Sequence, residues 1–349
     1  MPTPAKIQET LIGWGFRKQT DIATANIVGD TWRFGKLNAS LINPELATED
    51  DAAEIGKGHE FPTALYNTNW NVAGQIEKYA SSDFLAWATC FVLGHVVKSG
   101  TLPNFIYTVT PLATSTDGIE LPYFTFVEQI RPGGSSIIDR MAVGCAIEDL
   151  TISIGSGPGR ANSKCTVNFV GSGKLTEPSG ISLPAATAEK LLPAASLAAT
   201  IITVDYVSLK NILSLEIGIK NNLNINEGFF PGSGFQTGGD ATSGAIRGRI
   251  EIGARQYSLK FTVRLDSASA EWTKLKAGTT GTAVIGVTYD TNNNWTATFQ
   301  KIAIKVVNFT DANGIVTANC EADPLYDSTN GILSVVAKCN TDNICEAPV

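Results

Sequence analysis

GAIRGRIEIGARQYSLKFTVRLD, residues 244–266, alternates apolar and polar side chains along most of its length. Its first part sets Ile246, Ile250 and Ile252 against Arg247, Arg249 and Glu251. Its second sets Tyr257, Leu259, Phe261, Val263 and Leu265 against Gln256, Ser258, Lys260, Thr262 and Arg264. A period of two sends successive side chains to opposite faces of a strand, so the pattern specifies a sheet with one covered face. Gly253-Ala254 supplies a turn, and the stretch reads as a hairpin. A second hairpin runs from Val284 to Val307 around the polar loop Asp290 to Asn294, with Ile302, Ile304 and Val306 alternating with polar positions. Between them, Ser267 to Ala277 reads as a short helix. Ser267 or Ser269 caps it, Gly278 closes it, and Trp272 and Leu275 share a core-facing side.

The first half of the chain has the same order of parts. A strand at Trp70 to Tyr79 alternates Trp70, Val72, Gly74 and Ile76 with polar residues. Ser82-Asp83 then caps a helix carrying Trp87. A hairpin follows, Tyr123 to Ile130 and Ile137 to Val143, turning through Arg131 to Gly134. Further strands lie at Ile147 to Ile154 and Cys165 to Val170, joined by a glycine-rich turn at Gly155 to Gly159. Superposing Trp87 on Trp272 gives a shift of 185 residues, and Leu37 to Asn43 resembles Leu215 to Asn221. Such self-similarity predicts a tandem duplication; the alternative is one large β-sandwich with two unrelated helices. The Ala-, Ser- and Pro-rich stretch 171–200 reads as a connector. The expected units are 1–180, with an N-terminal arm at 1–30, and 201–349, with a linker at 181–200.

The chain has 349 residues, 43% hydrophobic and 17% charged, too apolar and too weakly charged for a disordered chain. Its net charge of −7 opposes any grip on a nucleic-acid duplex. The longest apolar run, Phe84 to Val97, is too short and too interrupted to span a bilayer and reads as a buried helix ended by His95. The N-terminus shows no basic segment followed by an apolar one, so no secretion signal is expected. Six scattered cysteines, none in a C-x-x-C pair, read as reduced thiols used as small hydrophobes.

Motifs for chemistry are missing. Gly173-Lys174 is followed by Leu175, so no phosphate-binding P-loop forms. No G-x-S-x-G elbow occurs. His59 lies in the acidic segment Glu45 to Glu60, far in sequence from His95, and two distant histidines make neither a catalytic base for a nucleophile nor a metal site. No enzyme activity, cofactor or metal is expected.

Read together, three stretches resemble the tail tube proteins of long-tailed bacteriophages. They are Tyr123-Phe-Thr-Phe-Val-Glu-Gln-Ile130, Ala142-Val-Gly-Cys-Ala-Ile-Glu-Asp-Leu-Thr-Ile152 and Cys165-Thr-Val-Asn-Phe-Val-Gly171. Leu213-Ser-Leu-Glu-Ile-Gly-Ile-Lys-Asn-Asn-Leu223 and Glu9-Thr-Leu-Ile-Gly-Trp-Gly15 are similar to the same family. The resemblance implies a mainly β fold of tandem sandwich or barrel units, each with a short α-helix packed on the outside of its sheet. It implies stacked rings whose strands join edge to edge into an inner barrel, with other tail proteins as partners. Phage DNA would pass through the lumen without specific binding, past a wall whose net acidity repels phosphate. The expected location is the virion tail, assembled in the host cytoplasm, with no membrane association.

A duplicated chain predicts a trimeric ring with pseudo-sixfold symmetry rather than a hexamer. The expected inter-subunit barrel residues are Trp70, Val72, Ile76, Phe124, Phe126, Ile250, Ile252, Phe261, Val263, Ile302 and Ile304. The expected ring-stacking residues are Glu49, Asp50 and Asp51 in an acidic loop at 45–60, and Phe229, Phe230 and Phe235 in the glycine-rich loop 226–244. The competing reading is a two-domain carbohydrate-binding or adhesion module, for which an exposed Trp295 beside Asn292 to Asn294 would be the contact.

Overall fold

Eighteen residues of unbroken strand, Ile138–Gly155, organise the first half of the molecule, and a twenty-residue strand, Asn293–Ala312, organises the second. The computed structural model describes residues 10–25, 31–33, 35, 37, 42–50, 61–62, 65–113, 118, 120–131, 138–155, 162–178, 181–206, 211–232, 234–236, 244–266, 270–312 and 314–346. The first half contains β1 (Leu11–Gly15), β2 (Thr31–Arg33), β3 (Asn43–Asp50), β4 (Leu65–Tyr79), α1 (Ser82–Leu93), β5 (Gly94–Thr101), β6 (Asn104–Pro111), β7 (Phe124–Ile130), β8 (Ile138–Gly155), β9 (Lys164–Val170) and β10 (Lys174–Thr176). The second contains β11 (Ala198–Ile201), β12 (Val204–Asp205), β13 (Ile212–Lys220), β14 (Phe235–Gln236), β15 (Gly244–Ala245), β16 (Gln256–Arg264), α2 (Glu271–Ala277), β17 (Thr280–Asp290), β18 (Asn293–Ala312), β19 (Ile315–Pro324) and β20 (Leu333–Cys339).

The two long strands each serve two sheets. The second halves of β8 and β18 lie in a broad antiparallel sheet with the order β3-β4-β9-β8-β13-β16-β19-β18. Their first halves belong to flanking sheets, β2-β1-β7-β8-β10 and β12-β11-β17-β18-β20. Where β8 passes from one sheet to the other, Gly144 adopts φ 65 and a Cβ there would meet the Ile22 carbonyl at 2.2 Å, so glycine is required.

The pairing scheme is written twice, irregularities included. The β8–β9 ladder breaks register just after Ile147↔Phe169, and the β18–β19 ladder just after Ile304↔Ala322. The β7–β8 ladder breaks after Phe124↔Cys145, and the β17–β18 ladder after Gly281↔Ile302. Bulges occupy fixed places in a sheet because they redirect its twist. Phe169 faces Gly74 as Ala322 faces Leu259, so β4 and β16 carry the same 185-residue shift that superposes Trp87 on Trp272. Among the described residues the copies differ by two insertions: β14 and β15 stand between β13 and β16, with no strand between β3 and β4, and the β5–β6 hairpin follows α1, whereas α2 runs directly into β17. That extra hairpin adds itself to the second copy's flanking sheet through β6–β20.

Local chemistry sets the elements, with several departures from the sequence reading. The N-cap of α1 is Ser81, whose hydroxyl accepts from Phe84 N at 3.3 Å. Gly94 ends this helix and opens β5, so His95 lies in that strand instead of closing the apolar run. All twelve residues of α1 are buried, so it is sandwiched between layers rather than laid on an outside face. Trp87 stacks edge-on against Phe124 at 5.1 Å and donates its indole N–H to Gly15 O at 3.0 Å. Its counterpart Trp272 is 49% exposed, which corrects the expectation that both tryptophans are core. Gly278 closes α2 in the left-handed conformation; Ser267 and Ser269 lie outside the described residues, and the N-cap is Ala270. The hairpin at 284–307 is present and extended. The first arm of the 244–266 hairpin is not a strand beside β16, because β13 and β19 already occupy both edges of β16. All six cysteines are free and buried.

The connector holds to the first copy. Ser163 N, Leu192 N and Ser82 N bond across it to Leu192 O, Ala80 O and Lys190 O. Beside it the buried Lys78 pairs with Glu189, over the Phe84 ring. Burial pulls the Lys78 ammonium down to about 8, against the opposing pull of Glu189. The unfolded chain therefore binds the extra proton from about pH 8 up to the ordinary lysine range. This residue's cost to stability is full below pH 8 and fades as pH rises through that window. We predict that Glu189→Gln, which strands the ammonium, destabilises by about 3 kcal/mol, whereas Lys78→Met is near neutral at pH 7. Urea melts at pH 7 and 9.5 check both, and wild type should gain on Lys78→Met at the higher pH.

Candidate assembly surfaces

The broad sheet has one apolar and one polar face, as period-two patterning requires. Toward the core it points Ile76, Val167, Ile152, Ile217, Phe261 and Ile304, all buried. The opposite face carries short polar side chains, with Gln75 donating to Asn168 at 2.9 Å and Thr262 to Asn319 at 2.8 Å. Charges there are mixed in sign: Lys260 faces Glu321 at 3.6 Å, Lys164 faces Glu77 at 3.7 Å, and Asp149 lies opposite Lys220. Burial raises the Asp149 carboxyl above its ordinary range, with Lys220 opposing. The chain's acidic excess is therefore not concentrated on this face. The face is hollowed into a trough of about 390 Å³ lined by Ser153, Ser214, Glu216, Lys260, Thr262 and Asn319.

The sheet's two outer strands, β3 and the second half of β18, have a strand on one side only among the described residues. Val72 gives its carbonyl to Gly171 N at 2.8 Å, away from β3. Pro44, opposite Val72, therefore turns its nitrogen to the free edge, where a missing N–H blunts casual pairing. Beyond Trp70 the β3–β4 ribbon projects with exposed Leu65 and Tyr66.

The residues expected to form barrel strands fall into different places. Trp70, Val72 and Ile76 are on β4, Phe261 and Val263 on β16, and Ile302 and Ile304 on β18. Phe124 and Phe126 lie on β7 in a flanking sheet and face the core. Ile250 and Ile252 lie in the irregular segment before β16. Glu49 and Asp50 are in β3, so the acidic segment begins as a strand rather than a loop. Asp51 and His59 lie outside the described residues. The sequence places a strand at β9 but assigns no barrel role to β3, β9, β13 or β19, because pairing partners leave no mark on a single strand's pattern. Trp295 is 1% exposed, which removes the contact on which the carbohydrate-binding reading rested.

The loop 221–255 crosses from the second copy onto the first. Arg247, 1% exposed, donates to Ile225 O at 2.8 Å, Gly171 O at 2.8 Å and Asn71 Oδ1 at 2.9 Å. Phe229 lies 4.6 Å over its guanidinium, and Phe230 lies 5.0 Å over that of Arg249. Desolvation pulls Arg247 down to about 10. Phe235 is in β14, paired with β15, which in turn pairs in parallel with β4 at Asn69. Nothing in the sequence marked Arg247 as the pin of this loop, since it sits in an alternating run that reads as strand. We predict that Arg247→Ala destabilises by about 3 kcal/mol, because it leaves buried carbonyls unsatisfied. Limited proteolysis should show new cleavage within 221–246.

Among the described residues no group of His, Cys, Asp and Glu could hold a metal ion, and no helix is long and apolar enough to cross a membrane. No individual curated protein matches the chain. The model of one family, phage tail tube protein, matches residues 15–325, nearly the whole length, and the chain belongs to that family.

Proposed function

We propose that this protein polymerises into stacked rings that form the tail tube, with three chains to a ring, and that the tube conducts the genome at ejection. Family membership carries the structural role in the virion tail. The observation that favours three chains is the repeated pairing scheme. Each copy supplies four strands to the broad sheet, β3-β4-β9-β8 and β13-β16-β19-β18, joined through β8–β13. Three such chains close on twenty-four strands. At ~4.8 Å between strands and a tilt of ~40°, that barrel is ~50 Å across its backbone. Twice the number would double the bore.

In this reading the repeats span 1–180 and 201–349, with 181–200 as connector. The hollowed polar face lines the lumen, and its short hydroxyl and amide side chains with balanced charges offer phosphates no basic field to grip. The β3–β4 ribbon, with Glu49, Asp50, Leu65 and Tyr66, contacts the next ring, and the pinned 221–255 loop supports it. Assembly takes place in the host cytoplasm. No catalytic step is assigned to the chain.

Negative-stain electron microscopy of the concentrated protein tests the proposal. Hollow rings or tubes with threefold rotational order in end-on classes are expected. Sixfold order in chain count would overturn the trimer, and dispersed monomers at all salt and protein concentrations would overturn the tube.

A further inference from the structure

Among the described residues the broad sheet contains one joint between copies, and by its repetition it specifies the other. Within the chain, β8 of the first copy pairs with β13 of the second from Asp149↔Lys220 to Gly155↔Ser214. The strand equivalent to β8 is β18, and the strand equivalent to β13 is β3. Both equivalences are fixed by register. The bulges place Ile147 on Ile304, hence Asp149 on Val306 and Ile152 on Phe309. Lys220 faces Gln256 as Glu45 faces Asn71, and Gln256 and Asn71 are equivalent by the β4–β16 shift, hence Lys220 falls on Glu45 and Ile217 on Ile42. The two strands so matched are the two outer strands of the broad sheet.

We infer that the second half of β18 pairs with β3 of the next copy, antiparallel, in the register Val306↔Glu45, Val307↔Pro44 and Phe309↔Ile42. The inference deepens the ring reading and rests on it.

An independent observation identifies the same place. At the free edge of the second copy, Trp272, Phe309 and Val316 are 49%, 50% and 52% exposed. Trp272 and Phe309 pack on one another at 6.0 Å, and the described residues leave about half of each open. Their first-copy equivalents, Trp87, Ile152 and Ser163, are all fully buried. Ile152 is covered because Ile217 of the adjoining copy lies opposite it. Phe309, half open at a position whose duplicate Ile152 is closed by a strand, calls for the same closure from a neighbour. Ile42 supplies it, since its side chain already faces the core. The charges and the backbone set the strength of this joint. Pro44 offers no N–H where its counterpart Ile219 has one, so the joint between chains has one fewer ladder bond than the joint within a chain.

The test is a pair of cysteines. Asn221 N donates to Glu148 O, so the Lys220–Asp149 pair two half-steps away is the non-hydrogen-bonded, closely spaced kind, and Glu45–Val306 inherits that geometry. Glu45→Cys combined with Val306→Cys should oxidise between chains, and non-reducing gels of assembled rings should end at a covalent three-chain band. Glu45→Cys with Thr310→Cys is out of register by four residues and should give no such band. The native thiols are buried and do not compete. Phe309→Asp should abolish rings while leaving the monomer's melting temperature unchanged, since Phe309 is half exposed in the single chain. Rings visible by microscopy but unlinked at 45 and 306, or linked equally at 45 and 310, would overturn this joint and leave the ring reading standing. An unmodified chain that forms no rings would overturn the ring reading and the joint with it.

Discussion

The ladder between β8 and β13 is the contact on which the rest depends. It runs seven residues, from Asp149↔Lys220 to Gly155↔Ser214, and it converts two four-stranded sheets into one. A four-stranded sheet with a polar front and an apolar back would leave two raw edges per copy. Fusing the copies in one chain satisfies two of the four edges before any partner arrives. The connector makes this joining intramolecular, so its entropy of association is already met at folding. Individual cross-strand pairs contribute roughly 0.2–1 kcal/mol, so the seam gains from length and from the apolar back that it seals, not from any single residue.

The two copies are not equivalent around that seam. The β5–β6 hairpin leaves the first copy and extends the second copy's flanking sheet beside β20. The C-terminal segment returns to the first copy, where Thr341 Oγ1 donates to Asp83 at 2.6 Å and Cys345 N donates to Phe16 O at 2.8 Å. Together with the Arg247-pinned loop, these contacts tie the halves of one chain outside the β8–β13 seam. The pairing scheme repeats across the two halves, yet α1 is fully buried in the first whereas α2 stands partly open in the second.

Period and order of elements were readable in the sequence because they are local. Alternation in 257–265 and 284–307, the start of α1 read at Ser82-Asp83, one residue past its Ser81 cap, and the Trp87–Trp272 correspondence all depend on neighbours within a few residues or on simple repetition. What stayed hidden was pairing. Ile246, Arg247 and Ile250 alternate like a strand, yet β16 has no vacant edge for them, and a buried guanidinium that binds carbonyls takes the place of a ladder. Trp272 carries the same side chain as Trp87, but a seven-residue helix cannot enclose what a twelve-residue helix does. Glu45 to Asp50 read as a solvated acidic loop, yet an edge strand with one wet side tolerates that composition.

The six cysteines carry a consequence for life outside the cell. A virion outside any cell meets oxygen and peroxides with no repair system at hand. Thiols are attacked mainly as thiolates that reach the surface. Here every sulfur is buried, and desolvation raises the acid limit of Cys90, Cys145, Cys165, Cys320, Cys339 and Cys345 alike. The fold thereby keeps its sulfur chemically silent, so the age of a particle leaves no covalent record in its cysteines for as long as the chain stays folded.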